Sequence, residues 1–391
     1  MAVEDSHHRA PAARSTPFNA EVGDQRMASA GLAETGAASL ERQWRWIGHI
    51  AARALGAVAV LVLFVLALKL LSASASAVAA VLRQFEVHGV LNFVGFGWLL
   101  AYGALSGSPV AALSLSLLDG GATMPIESLA MLAGSRFGAS MVVLVVGFVS
   151  YLLGRRRPDG IYIGVVALLT TASIYIPATF IAIRLLESGI LEAPARAIPY
   201  GWTEAPSAIV NPVVQMLASR LPGALVFALG IGSLLGAFAL FDRLLPNLDP
   251  PSARFERMSR RLAAPRQMFV FGALVTSVTM SVSLSVTILV PLALKNIVRR
   301  EHVVPYVMGA NITTFIDTLF AALLVNARAA PAVVLAEMLS VTIVSVCVLA
   351  LGYGLYSRVI LASAHRVSSE RRWLAAFLGM FVGTPLLLMW V

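Results

Sequence analysis

The sequence predicts an all-α, multi-pass membrane protein made of two inverted-topology repeats with broken helices or re-entrant hairpins. Three observations predict it. Of 391 residues, 58% are hydrophobic and only 13% charged, and the mean hydropathy is +0.83; a soluble domain carries about a quarter charged residues. Several apolar runs reach about 20 residues each, the length that spans a hydrocarbon core of ~30 Å. A shift of 175 residues lays one half of the chain on the other without a gap. Ser106 then falls on Ser281, Ser108 on Ser283, Gly134 on Gly309, Phe96-Gly97 on Phe271-Gly272, Leu99 on Leu274 and Leu117 on Leu292.

In chain order, residues 1–45 read as a disordered cytoplasmic tail. Their Ala, Ser, Gly, Pro, Glu and Arg show no periodicity and supply too little apolar surface to order the segment. No apolar stretch follows Met1, so a cleaved signal peptide is not expected. Arg42, Trp44, Arg45 and Trp46 form a basic and aromatic collar at the membrane surface. Residues 46–190 are the first repeat. A span runs over about Ile47–Leu71, with Arg53 snorkelling. Val90–Leu132 is apolar but interrupted at Ser106-Gly107-Ser108-Pro109 and at Asp119-Gly120-Gly121. Phe137–Leu153 spans until Gly154-Arg155-Arg156-Arg157-Pro158, and Gly160–Leu186 crosses again.

Residues 191–220 read as an extracytoplasmic loop, within a Pro-rich stretch that starts at Glu187 and holds Tyr200 and Trp202. The second repeat is 221–365. Leu221–Leu245 spans, and Arg243, Arg254, Arg257, Arg260, Arg261 and Arg266 form a basic loop. Met268–Leu294 is broken near Ser281-Val282-Ser283. The stretch Tyr306–Asp317, reaching Val325, carries Gly309, Asn311, Thr313, Thr314 and Asp317 inside an apolar run, which predicts broken helix around a polar site. Val333–Tyr356 spans. Residues 366–391 are a basic loop, with Arg358 just before it, and an extra C-terminal membrane helix.

Net charge is +9. In a soluble chain that would suggest nucleic acid, but here it reads as positive charge held on the cytoplasmic side. With the N-terminus cytoplasmic in the cell membrane, every large Arg cluster lands inside. The acidic Asp119–Glu127 loop then lies outside, and its counterpart, the basic Lys295–His302 loop, lies inside. The halves are therefore inverted, an architecture of transporters whose site sits where the halves meet.

Ser108 is placed to cap, and Pro109 to begin, a half-helix inside the membrane. Its free N–H groups and positive dipole end suit an anion, and nearby hydroxyls and carbonyls suit Na+. Ser106, Ser281 and Ser283 complete the symmetric hydroxyls; serines that merely bond back to their own helix are the plain alternative. The single Cys347 excludes an internal disulfide, and the six histidines have no metal-ligand spacing. With no histidine expected in a span to serve as base, Ser106 is not read as an intramembrane protease nucleophile. The chain is not expected to be an enzyme or to hold a cofactor, with Na+ entering only as a coupling ion.

Here the chain resembles the sodium-dependent phosphate cotransporters, whose two inverted repeats each carry a Gln-Ser-Ser-Ser motif followed by Gly-Ala-Asn-Ile-Gly-Thr-Thr. The second repeat reads Met280-Ser281-Val282-Ser283 and then Gly309-Ala310-Asn311-Ile312-Thr313-Thr314. The first reads Leu105-Ser106-Gly107-Ser108 and then Gly134-Ser135-Arg136-Phe137-Gly138. The Leu63-Phe64…Lys69-Leu70 run also looks like the family's opening span. Both glutamines are replaced, by Leu105 and Met280, and Arg136 stands where the motif has Asn. The resemblance implies the inverted-repeat fold and a phosphate-like substrate.

Arg136 and Asp317 are opposite charges in the two halves of one site. They either pair across it, or Arg136 holds an anion by its planar fork while Asp317 binds Na+ or H+. A snorkelling Arg136 near the outer end of its span is the bland reading. Glu337, Glu127 and Asp119 are read as solvated residues near helix ends. These readings converge on a secondary transporter of a small anion coupled to Na+ or H+. The competing class is a non-transporting membrane scaffold of the same fold, fixed by an internal Arg–Asp pair. A small anion and the bilayer are the expected partners, nucleic acid is not, and a homo-oligomer stays open.

Overall fold

The computed structural model describes residues 46–48, 51–150, 159–197, 204–244, 264–280, 285–286 and 300–391. Residues 1–45, Arg155–Arg157, 245–263, Ser281, Ser283 and Lys295 lie outside the described residues. Residues Met1–Val58 and Ala59–Val391 are separate units, and the polar groups of interest all belong to the second. Among the described residues every regular element is helical.

In order, the helices are α1 (Trp46–Ala73), α2 (Ala75–Gln84), α3 (Gly89–Ala104), α4 (Ser108–Asp119), α5 (Pro125–Ser150), α6 (Asp159–Glu187), α7 (Glu192–Arg196), α8 (Glu204–Arg220) and α9 (Gly223–Leu244). There follow α10 (Pro265–Thr279), α11 (Arg300–Thr313), α12 (Phe315–Leu324), α13 (Ala330–Cys347), a π-helical turn (Val348–Gly352), α14 (Tyr353–Ser369) and α15 (Arg371–Leu388). Among the described residues six stretches are long and apolar enough to cross a membrane: α1, the first 21 residues of α5, α6, α9, α11 with α12, and α13 continued through α14. The chain is thus a membrane-embedded helical protein. Leu225, Leu229 and Leu235 of α9 are exposed, which costs nothing against lipid tails.

Several features of the region that positions the site recur at one offset. Helices α3 and α10 end on Leu105 and Met280, each left-handed at φ 49°. These two positions are 175 residues apart (280 minus 105). Gly97 on α3 and Gly134 on α5 lie so close to the partner helix that a Cβ would meet the Met131 and Val94 carbonyls. Gly272 on α10 and Gly309 on α11 stand in the same relation to the Tyr306 and Phe269 carbonyls. All of these contacts keep the same offset. A missing side chain at each position lets two backbones touch, which is how apolar helices gain packing inside lipid.

Helix α4 has 12 residues, about 18 Å at 1.5 Å per residue. That is too short to cross ~30 Å, yet Pro109–Leu117 are all buried. It is a half-helix enclosed by protein, as the sequence predicts. Its N-cap position is Gly107 rather than Ser108, with no side-chain cap bond. A Cβ on Gly107 would press on Ser135 O and Ala139 at 3.0 Å, so the start of α4 rests on the turn of α5 that carries Arg136.

The structure corrects several expectations. The stretch 191–220 is not a plain loop, since it contains α7 and the 17-residue α8. Pro194 and Pro206 fall in first turns, where an N–H is unpaired anyway, so they start helices rather than break them. No span begins at Phe137: α5 runs unbroken from Pro125, and Arg136 sits about 17 Å along it. Tyr306–Asp317 is helical apart from a turn at Thr314. Pro305 lies inside α11, and the carbonyl it leaves free, that of Glu301, accepts the Tyr353 hydroxyl at 2.9 Å instead. His302, read as part of a loop, is buried in the first turn of α11, so a histidine does stand at the start of one of the six stretches, contrary to the expectation that none would. Arg358 and Arg366 belong to α14, not to a loop. Helix α15 forms as predicted, though it is not among the six spans, and α3 grips it: Asn92 Nδ2 donates to Leu388 O (2.9 Å) and Tyr102 to Phe381 O (2.8 Å).

Candidate functional site

Arg136 organises the polar centre. It is 5% exposed, in the middle of α5, so it does not snorkel. Its Nη2 donates to Thr318 Oγ1 at 2.6 Å and its Nη1 to Thr314 Oγ1 at 3.3 Å. The guanidinium lies 4.7 Å over the Phe315 ring, a contact whose attraction grows when water is excluded. Nε is buried without a partner among the described residues.

Asp317 is buried on α12 and takes the Thr318 hydroxyl proton on Oδ1 at 2.9 Å. Arg136 and Asp317 are therefore joined through Thr318, which accepts from the first and donates to the second, rather than by a direct ion pair. The Ser108 side chain lies beside the Asp317 carboxyl, and among the described residues Oδ2 has no well-formed hydrogen bond. One end of the cluster is thus the start of α4, and the other is α12.

Helix α6 closes the centre from the side. Tyr175 is buried and donates to Asn311 O at 3.0 Å, while Asn311 Nδ2 donates to Thr171 Oγ1 at 3.2 Å. Ring contacts run inward from Trp98 stacked on Phe137 (4.9 Å) to Phe137 edge-on to Tyr175 and Tyr175 tilted against Phe315, both at 6.1 Å. Between these groups is a cavity of about 20 Å3, room for one water molecule. Ser106, Ser108, Arg136, Tyr175, Asn311 and Thr314 face it.

Of the nine residues singled out in the sequence, Ser106, Ser108, Arg136, Asn311 and Thr314 meet at this cavity, and Asp317 adjoins it. Thr313 does not: its hydroxyl bonds Ala273 O at 2.9 Å, on the face of α11 packed against α10. Ser281 and Ser283 are outside the described residues. Glu337 reverses its expectation. It is 0% exposed, with Oε2 unpartnered among the described residues and Oε1 3.3 Å from Thr179 Oγ1. Glu127 and Asp119 are half-buried at helix ends, where Glu127 accepts from Met124 N (2.8 Å) and Asp119 from Ser72 (2.7 Å). Glu337 had a signal in the sequence, being the one charged residue between Ala330 and Leu351. Tyr175, Thr171 and Thr318 had none; the crossing of α6 and the turn at Thr314 bring them in.

Comparison of the chain with known protein families, with curated proteins and with solved structures gives no match in any of the three. The functional reading accordingly rests on the geometry. A buried guanidinium with an idle donor faces a helix start, beside hydroxyls and one carboxylate. Such a set can hold an anion at Arg136 and the first turn of α4, or keep a charged pair out of contact with lipid.

Proposed function

We propose that this protein is a secondary active transporter of a small anion, phosphate-like by its resemblance to the sodium-dependent phosphate cotransporters. Alternating access would operate where two inverted repeats meet. Arg136 carries the proposal: a cation in mid-helix, drawn into protein rather than to the surface, with Nε unspent and facing the start of a half-helix. The recurrence of helix ends, left-handed residues and glycine contacts at one offset supports the repeat. Its inversion rests on the placement of Arg clusters.

One observation favours the scaffold instead. A cavity of about 20 Å3 admits a water but not an oxyanion, so transport requires this site to open. Uptake of radiolabelled phosphate by reconstituted liposomes, with and without ion gradients, separates the two. Uptake above protein-free liposomes that falls in Ser108→Ala supports transport. Phosphate that never enters, with Arg136→Gln failing to fold, supports the scaffold. A reporter at Asp119 reading on the same side as one at Lys295 would end the inverted-repeat argument.

A further inference from the structure

Hydrogen accounting around the two buried carboxyls separates their roles. A threonine hydroxyl has one proton to give. Thr318 gives its proton to Asp317 and accepts from Arg136, an arrangement that suits an ionised Asp317. Thr179 lies near Glu337 but is committed elsewhere: its hydroxyl is 2.8 Å from Tyr175 O, one turn back, and 3.3 Å from Glu337 Oε1. A carbonyl can only accept, so the single Thr179 proton belongs to Tyr175 O, a bond that membrane helices favour. The contact between Thr179 and Glu337 is then a hydrogen bond only if Glu337 donates, which requires its carboxyl to carry a proton.

The surroundings agree. Glu337 is 0% exposed and makes no ion pair among the described residues. An ionised carboxylate so enclosed, with Oε2 bare, would lack the pairing that buried charges need. Arg136 on α5 makes no ion pair with it among the described residues and donates to Thr314 and Thr318 instead. On α6, the buried Tyr175 gives its proton to Asn311 O. Among the described side chains, the other ionisable groups on helices packed around α13 are engaged or peripheral. Asp119 accepts from Ser72, Glu127 from Met124 N, Tyr306 meets Ser285, Arg184 pairs with Glu187, the buried Tyr162 and His302 have contacts of their own, and Glu192 and Glu301 are exposed.

We infer that Glu337 is the proton-carrying acid of this centre, and that the ion coupled to anion movement is H+ rather than Na+. This rests on the transporter reading. Glu337 takes a proton from water when the site faces one side and returns it to water on the other. Arg136 stays charged throughout.

Infrared difference spectroscopy of the purified protein tests the acid without any substrate. At neutral pH the wild type should show the carbonyl stretch of a protonated carboxyl, which Glu337→Gln removes and Asp317→Asn leaves in place. Thr179→Val should keep the band but displace it, because the O–H loses its acceptor; this variant serves if Glu337→Gln does not fold. Identical spectra for wild type and Glu337→Gln, or a band that Thr179→Val leaves unmoved, would overturn the assignment.

Reconstituted liposomes with radiolabelled phosphate test the coupling. Glu337→Gln should lose accumulation driven by a pH gradient yet still exchange phosphate for phosphate. Accumulation that follows Na+ alone, or survives in Glu337→Gln, would overturn H+ coupling. A wild type that moves no phosphate while the band is present sinks the transport reading for phosphate and leaves the protonated acid supported.

Discussion

Removing the charge of Arg136 is the most informative single perturbation. Arg136→Gln deletes the 2.6 Å bond to Thr318 and the contact over Phe315. A charge-assisted bond contributes about 1.5–3 kcal/mol, and a desolvated cation–π contact up to about 2. The larger effect is on Asp317, which keeps its charge in a buried place with Oδ2 already bare. Breaking a buried pair costs about 3–5 kcal/mol, a range that already contains the two bonds, so they are not added to it. Asp317→Asn should cost less, because Arg136 keeps both threonine oxygens. The double replacement strands nothing. Because Thr318 stands between the charges, the coupling should reach about 2 kcal/mol, within the range for residues of one network. Thermal or denaturant unfolding of the four variants in detergent measures it. Additive losses of under about 1 kcal/mol each would refute the idea that these charges sustain one another.

Other positions give independent checks. Gly134→Ala and Gly309→Ala should each destabilise by about 1–3 kcal/mol or more, since the new methyl meets a backbone carbonyl of the neighbouring helix; unfolding midpoints compare them, and a tolerated pair would disprove the close contact. Leu105→Gly should not lower stability. Leu105 is 63% exposed and left-handed, a conformation that costs an ordinary residue about 1–2 kcal/mol; a clear loss by the same measurement would show its side chain matters. Ser108→Ala should reduce anion uptake several-fold while membrane insertion and unfolding stay unchanged, because a hydroxyl disappears from the cavity with little volume. Equal uptake would remove Ser108 from the site.

The fold was legible where periodicity and punctuation agree. Ser106–Pro109 and Asp119–Gly121 interrupt the apolar run where α4 begins and ends, and one offset joins Leu105 to Met280. Prolines misled over 191–220, because Pro194, Pro206 and, later, Pro305 look alike in a sequence whether they start a helix, sit inside one, or break it. Only a neighbouring donor such as Tyr353, which satisfies Glu301 O, decides the outcome. Arg136 and Asp317 were legible as isolated charges in apolar surroundings. Glu337 carried the same signal, but its depth depended on where α13 begins, and the sequence marks that boundary weakly. The contact of Thr179 with it, and of Tyr175 with Asn311, arises from tertiary crossing alone.

The long helix from Ala330 also says something about bilayer thickness. From Ala330 to Leu351 it presents an apolar surface about 33 Å long, close to the ~30 Å of a hydrocarbon core. The π-helical turn Val348–Gly352 closes that stretch, and Tyr353, Tyr356 and Arg358 come immediately after it, residue types that settle at headgroup level. The widened turn therefore ends an apolar stretch long enough to cross a hydrocarbon core. A markedly thicker bilayer would draw Tyr353 and its Glu301 contact into hydrocarbon. Lipid thickness would then act on the start of α11, and through that helix on Asn311 at the cavity.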